Sequence, residues 1–254
     1  MLNQERKNAI MDILKTRGTA SVQMLTQVLG ASESTVRRDI ADLSRAGLVS
    51  KIHGGAMLKS KNFIAMEDSV QAKSSVHVAE KRAIARYAAA QINSDDFVYL
   101  DAGTTTFLMI DFIDKNCKAS FVTNGISHAK RLVQRGFQVY MLGGQLKSTT
   151  EAVIGVVAAK NIRKYNFTKA FIGTNGVTPE QGFSTPDAEE AFVKAAAFER
   201  SFVTYVLADS SKFGRVSSVT YAPMDRGCII TDELPDESWR KYTVIKTVGK
   251  DEDE

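Results

Sequence analysis

Cysteine and histidine are scarce in this 254-residue sequence, with two of the first and three of the second. The two cysteines, Cys117 and Cys228, cannot build a disulfide framework, which points to a reducing cytoplasm. Both sit beside apolar or strand-like runs and read as packing residues rather than catalytic thiols. With so few histidines, His53 is read as something other than a metal ligand, and neither a metal nor any other cofactor is expected. Long apolar runs are missing too. No stretch approaches the roughly 20 residues that span a bilayer, and the opening MLNQERKNAI lacks the apolar core of a signal peptide. A cytoplasmic protein without a membrane partner is therefore expected. The sequence also lacks a Walker A pattern, and no G-x-G-x-x-G follows the first strand of its α/β region, so a dinucleotide fits poorly.

What is present fits a soluble globular protein, with 44% hydrophobic and 24% charged residues. The length allows a small domain joined to a medium one. The net charge of +4 is unevenly placed. Residues 1–60 carry nine Lys/Arg against five Asp/Glu, and the remainder carries 24 of each. A basic module attached to a neutral one is the natural reading.

The basic part reads as three short helices. Ile10, Ile13 and Leu14 have helical spacing, and Gly18 ends that pattern. Ser21 opens a second, Val22, Leu25, Val28 and Leu29, which stops at Gly30. Ser32 opens a third, with Val36, Ile40 and Leu43 at i, i+4 and i+7, and Gly47 closes it. The tight turn Gly30-Ala31-Ser32 gives helix-turn-helix geometry. If the apolar positions of the third helix face the core, its N-terminal part exposes Ser34, Thr35, Arg37 and Arg38 beside Ser32. A recognition helix reads base edges from that end. Arginine bonds bidentately to guanine, and Ser or Thr reaches bases or phosphates. Asp39 and Asp42 are expected to hold neighbouring arginines. Next, LVSKIHGGAMLK alternates, turns and returns as a small hairpin wing, whose tip brings Lys51 and His53 to the phosphate backbone. Double-stranded operator DNA is the expected partner.

ERKNAIMDILKTRGTASVQMLTQVLGASESTVRRDIADLSRAGLVSKIHGGA, residues 5–56, resembles the winged helix-turn-helix of DeoR-type bacterial transcriptional regulators. The run STVRRDI, then GL, then HGGA, is more specific than a generic helix-turn-helix. The domains expected are a winged helix-turn-helix at 1–58, a linker at 59–80 with a helix starting near Ser75, and an α/β domain at 81–250. Linkers of this kind position paired DNA-binding heads, so a homo-oligomer, dimer or tetramer, is expected. The tail Asp251–Glu254 is expected to be frayed and solvated.

From residue 95 apolar strands alternate with helices, which implies a mainly parallel sheet. The strands are FVYLD, ASFVTN, FQVYMLGG, KAFIGTN, FVTYVLAD and GCIITD; TEAVIGVVAAKNIRKY is read as one helix. Ligands bind beyond the carboxyl ends of such strands. There lie Asp101, Gly103, Thr104, Thr105 and Thr106; then Thr123 and Asn124; Gly143 and Gly144; Gly173, Thr174, Asn175 and Gly176; and Asp209, Ser211 and Lys212. The threonines open a helix whose N-terminus favours an anion. Lys212 offers a positive charge for a phosphate. Asp101, Asn124, Asn175 and Asp209 are suited to sugar hydroxyls. A phosphorylated sugar satisfies both halves.

DAGTTT, VTNG, MLGG, IGTNG and ADSSKFG look like the sensor domain of the same DeoR family, so the resemblance spans residues 1 to about 248. It implies a repressor of a sugar-catabolic operon, released from DNA by a phosphorylated intermediate, with a weak preference for a ketose phosphate such as fructose 1-phosphate. It also implies a sensor fold similar to ribose-5-phosphate isomerases, which raises the alternative of an isomerase-like enzyme with an accessory DNA-binding head. Those enzymes carry a D-G-A-D-E type loop, and the comparable Ile172-Gly173-Thr174-Asn175-Gly176 has no carboxylate. Glu189 or Glu190 on the following helix is left to act as a base or to bind a hydroxyl. A sensor rather than an enzyme is expected.

Overall fold

The computed structural model of the protein describes residues 3–58 and 63–249. Contacts divide it into two units, Met1–Asn62 and Phe63–Glu254. The first four residues of the expected linker, and the tail Asp251–Glu254, lie outside the described residues.

The first unit runs α1 (Asn3–Arg17), β1 (Thr19–Ser21), α2 (Val22–Leu29), α3 (Glu33–Arg45), β2 (Val49–Ile52) and β3 (Gly55–Leu58). Its punctuation is chemical. Ser21 caps α2 by accepting from Met24 N at 3.1 Å, and Ser32 caps α3 by accepting from Thr35 N at 3.3 Å. Gly30 leaves α2 at φ 59°, a left-handed turn suited to glycine. Ile10, Leu14, Leu25, Val36, Ile40 and Leu43 meet in one buried core. Each contributes about 1.5–3 kcal/mol by burial. The wing is a three-stranded antiparallel sheet in the order β1-β3-β2, because the three-residue β1 adds to the expected hairpin. Gly55 is needed where β1 crosses: a Cβ there would stand 2.3 Å from Ala20 O.

The second unit begins with β4 (Phe63–Ile64), α4 (Val70–Ser74) and α5 (Val78–Ala89). There follow β5 (Phe97–Leu100), α6 (Thr104–Phe112), β6 (Ser120–Thr123), α7 (Ile126–Gln134), β7 (Gln138–Met141), β8 (Gln145–Lys147), β9 (Ala152–Ile154) and α8 (Gly155–Ile162). The chain closes with β10 (Phe167–Gly173), β11 (Gly176–Thr178), β12 (Gly182–Thr185), α9 (Ala188–Glu199), β13 (Ser201–Leu207), β14 (Val216–Ser217), β15 (Val219–Ala222), β16 (Cys228–Thr231) and β17 (Ile245–Thr247). Seven of these strands form a parallel sheet in the order β17-β16-β13-β10-β5-β6-β7. Alternation along β5 sorts the two faces. Val98 and Leu100 pack with Ile84, Met109, Ile110 and Leu132 of α5, α6 and α7. Tyr99 packs with Ala158, Ile162, Val193 and Ala197 of α8 and α9. From β5 the sheet grows one way through β6 and β7 and the other way from β10, so the order reverses between β5 and β10. Crevices for ligands open at such a reversal.

Three local readings are corrected. Residues 63–74, expected as linker, form β4 and α4 and belong to the second unit, where Phe63 and Ile64 pair in parallel with Val216 and Ser217. The helix expected to start near Ser75 starts at Val78, after His77 at φ 54°. The single helix expected over TEAVIGVVAAKNIRKY is split: Ala152–Ile154 pairs antiparallel with β8, and only Gly155–Ile162 is helical. Gly155, at φ 89°, makes the break that a side chain would strain. Among the described residues, no helix is long and apolar enough to cross a membrane.

Candidate functional site

Two sites follow from the residues, one in each unit. In the first, Ser32, Ser34, Arg37 and Arg38 are exposed at the start of α3, and Thr35 is half-buried beside them. The three hydroxyls cluster: Ser32 Oγ lies 3.0 Å from Ser34 Oγ and 2.8 Å from Thr35 Oγ1. Arg37 donates to Glu33 Oε1 from Nε at 2.9 Å and from a terminal nitrogen at 2.5 Å. Arg38 has no hydrogen-bond or ion-pair partner among the described residues. His53 is exposed in the β2–β3 turn, whereas Lys51, expected at the tip, lies within β2, where it is exposed and pairs with Ala56.

Asp39 and Asp42 do hold cations, but mostly across the core to α1. Arg6 Nε donates to Asp39 Oδ2 at 2.5 Å, and Lys7 Nζ to Asp42 Oδ2 at 2.8 Å. Arg45 is the second partner of Asp42, and Lys7 and Arg45 together hold that carboxyl below its ordinary range. The two aspartates thus brace α3 against α1 and leave the opposite, basic face open.

In the second unit a cleft of about 360 Å³ opens at the β5–β10 reversal. Its floor is a buried ion pair between Lys194 of α9 and Asp101, just past β5. Lys194 Nζ also donates to Gly173 O at 3.1 Å, and Gly173 N donates to Asp101 Oδ2 at 3.0 Å. One wall is the start of α6. Gly103 is its N-cap and offers no side-chain bond, so the first amides of the helix are left uncapped. Thr106 Oγ1 turns back to Asp101 O at 2.6 Å and Gly103 O at 2.9 Å. Thr104 and Thr105 line the cleft half-buried, and their hydroxyls have no hydrogen-bond partner among the described residues. These threonines are therefore not spent on capping. Lys212 lies opposite, with Asp209 Oδ2 3.9 Å from its Nζ.

Of the residues named from the sequence, the structure brings eleven to this cleft: Asp101, Gly103, Thr104, Thr105, Thr106, Gly173, Thr174, Asn175, Glu190, Asp209 and Lys212. The others stand behind it. Asn124 is buried; its Oδ1 accepts from Tyr99 Oη at 3.0 Å and from Ala102 N at 2.8 Å, so it shapes the Asp101–Thr104 turn. Thr123 accepts from Gly125 N at 3.1 Å. Gly143 O accepts from Asn161 at 3.1 Å, and Gly144 packs against β9 and α8. Gly176 sits in β11, paired with Ser184. Ser211 is bonded to Asp209. Glu189 is exposed on the first turn of α9.

Sequence reasoning missed Glu67, Lys73, Lys81, His128 and Lys194, all of which line the cleft. Lys73 is ion-paired with Glu67. Burial lowers its ammonium to about 8, with Lys194, Lys212 and Lys147 acting in the same direction against Glu190. Lys81 donates to Lys73 O and to Val76 O, the latter at 2.7 Å. Glu190 accepts from Lys147 at 3.0 Å and Thr150 at 2.8 Å. His128 is lowered to about 4 by burial and so stays neutral. Each of Glu67, Asp101 and Glu190 already faces a cation, so none is a free base for proton transfer. Among the described residues, no group of three or more His, Cys, Asp and Glu could hold a metal ion.

Residues 6–62 match the DeoR-like helix-turn-helix domain, and residues 76–233 match the DeoR C terminal sensor domain. The chain is 41% identical over 251 residues to the "uncharacterized HTH-type transcriptional regulator FruR" of Bacillus subtilis (strain 168), covering 98% of this chain and 99% of that one. It is 31% identical over 250 residues to the lactose phosphotransferase system repressor of Staphylococcus aureus (strain N315), covering 97% and 98%. Among solved structures it is similar to ribose 5-phosphate isomerase A from Methanocaldococcus jannaschii, with a TM-score of 0.39 and 15% identity over 52% of this chain and 53% of that one. With a DNA-binding domain and a sensor domain in one chain, the protein is a regulator and not an enzyme; it belongs to the DeoR family of transcriptional regulators.

Proposed function

We propose that this regulator represses a sugar-catabolic operon in the cytoplasm and leaves its operator when a phosphorylated sugar fills the cleft. The observation that carries this reading is the meeting, at the sheet's reversal, of an uncapped helix start, two unpartnered threonine hydroxyls and Lys212. Uncapped amides and the helix dipole favour an anion. Threonine hydroxyls add donors, and a lysine supplies the charge that a phosphate ester needs. A ketose phosphate such as fructose 1-phosphate is favoured, in keeping with the name of the Bacillus subtilis relative.

Regulation then follows from linkage. If the filled cleft favours one arrangement of the protein and DNA another, each ligand weakens the other by the same factor. A homo-oligomer presents two such heads to one operator, which suits a helix-turn-helix reading two half-sites. Arg37 and Arg38 read bases, while Ser32, Ser34, Thr35, Lys51 and His53 settle the unit on the backbone.

A thermal-shift panel of sugar phosphates, each beside its unphosphorylated sugar, tests the reading. A binder raises the melting temperature by mass action. The expected result is a rise with one or more phosphate esters and none with the matching free sugar; equal rises with both sink the phosphate assignment.

A further inference from the structure

Glu67 and Lys73 sit on the stretch that follows residues 59–62, ahead of α5, and both line the cleft. They are paired with each other. The Glu67 side chain is only 8% exposed. Its Oε1 also accepts from Asn175 Nδ2 at 3.2 Å, while its Oε2 is buried without a hydrogen-bond partner among the described residues. A buried carboxylate oxygen that lacks a donor costs free energy. Glu67 is thus held in place by the charge of Lys73 more than by a completed set of bonds. The other buried lysines nearby have partners of their own: Lys194 has Asp101, and Lys147 has Asp187 and Glu190.

We propose that Glu67 is a built-in competitor in the cleft, which occupies the Lys73 ammonium until an incoming phosphate monoester displaces it. This rests on the cleft being a sugar-phosphate site. The physical case is one of charge. A phosphate monoester carries about −1.5 to −2 at neutral pH and three strong acceptor oxygens. It outcompetes a single carboxylate for one ammonium and repels that carboxylate at close range. Displacement of Glu67 frees the Asn175 amide for a sugar hydroxyl and ends the burial of an unsatisfied oxygen. The stretch can give way: α4 has five residues and buries none of them, and β4 pairs over two residues only. Its far end is pinned, because Lys81 holds the carbonyls of Lys73 and Val76. Movement therefore falls between Phe63 and Val70, next in sequence to residues 59–62, which join the first unit. An anion exchanged in the cleft thereby acts on the tether of the DNA-binding unit.

The test uses the full chain as wild type, Glu67→Gln, Lys73→Gln and Lys212→Ala, with inorganic phosphate and fructose 1-phosphate as calorimetric probes. Hydrogen exchange of amides 63–70 is followed in parallel. Glu67→Gln is expected to bind inorganic phosphate about tenfold tighter than wild type, and Lys73→Gln about tenfold more weakly. Phosphate is expected to speed exchange of amides 63–70 in wild type, and Glu67→Gln to show fast exchange without it. Should Glu67→Gln fold poorly, Glu67→Asp, which shortens the reach to Lys73, is expected to gain affinity in the same direction. Equal or weaker phosphate binding by a folded Glu67 variant overturns the competitor. If Lys212→Ala weakens both probes while Glu67→Gln and Lys73→Gln match wild type, the cleft reading stands and this inference falls. If neither probe binds wild type, both fall.

Discussion

Lys194 and Asp101, 93 residues apart in sequence, form a buried ion pair that ties α9 to the end of β5. Gly173 joins them through both its N–H and its carbonyl, so the ends of β5 and β10 are locked at the sheet's reversal. Burial pushes the Asp101 carboxyl up, and Lys194 works against that. Burial lowers the Lys194 ammonium, but Asp101, Tyr221 and Glu190 together more than offset it and the net direction is upward. The pair makes the floor of the cleft rigid before any ligand arrives.

Removing one partner strands the other. Lys194→Ala is expected to cost about 3–5 kcal/mol in urea unfolding, because it leaves an uncompensated buried carboxylate. The double variant Asp101→Asn, Lys194→Met should recover much of that loss. A cost near zero for Lys194→Ala would show that the pair does not brace the sheet.

Arg38 is exposed and has no partner among the described residues, whereas Arg37 must give up Glu33 to reach a base. Arg38→Ala is expected to weaken operator binding by roughly 1–3 kcal/mol if it reads a base, with relaxed specificity at one position. Fluorescence anisotropy on operator variants measures both quantities. Unchanged affinity for both Arg37→Ala and Arg38→Ala removes α3 as the recognition helix.

Lys212→Ala and Thr105→Ala lie in the second unit and should leave DNA affinity intact. Both are expected to make repression unresponsive to inducer in a reporter assay. A normal response from Lys212→Ala rules out its contact with phosphate.

His128 sets a pH dependence. Burial lowers its pKa from 6.5 to about 4. The unfolded chain therefore takes up this proton at a higher pH than the native one, and stability falls as pH drops from 6.5 toward 4. At pH 4 the loss from this group is about 3 kcal/mol. Unfolding midpoints followed across that range should decline more steeply for wild type than for His128→Gln. Parallel curves would show that His128 is not buried neutral.

The first unit was legible because its signals are local: Ser21 and Ser32 cap, Gly30 turns, and Val36, Ile40 and Leu43 keep helical spacing. The parallel sheet was legible from apolar strands, but its order was not, since nothing within FVYL says that KAFIG lies beside it. Ten cleft residues were found because strand ends converge whatever the order. Apart from Glu190, the helical contributors were hidden. Lys194 carries a faint signal, a lone cation within AFVKAAAF, a run too apolar to be a solvated face. Glu67 and Lys73 carry none, because a polar stretch between domains looks like a linker until the cleft closes over it.

The most direct test of the central claim is operator affinity of the full chain, measured by anisotropy with and without fructose 1-phosphate and related sugar phosphates. The expected result is that one phosphate ester weakens DNA binding in wild type, its free sugar does nothing, and Lys212→Ala ignores both. DNA affinity unmoved by every ester, or moved equally by the free sugars, would contradict a cleft that governs the recognition helix through a bound phosphate.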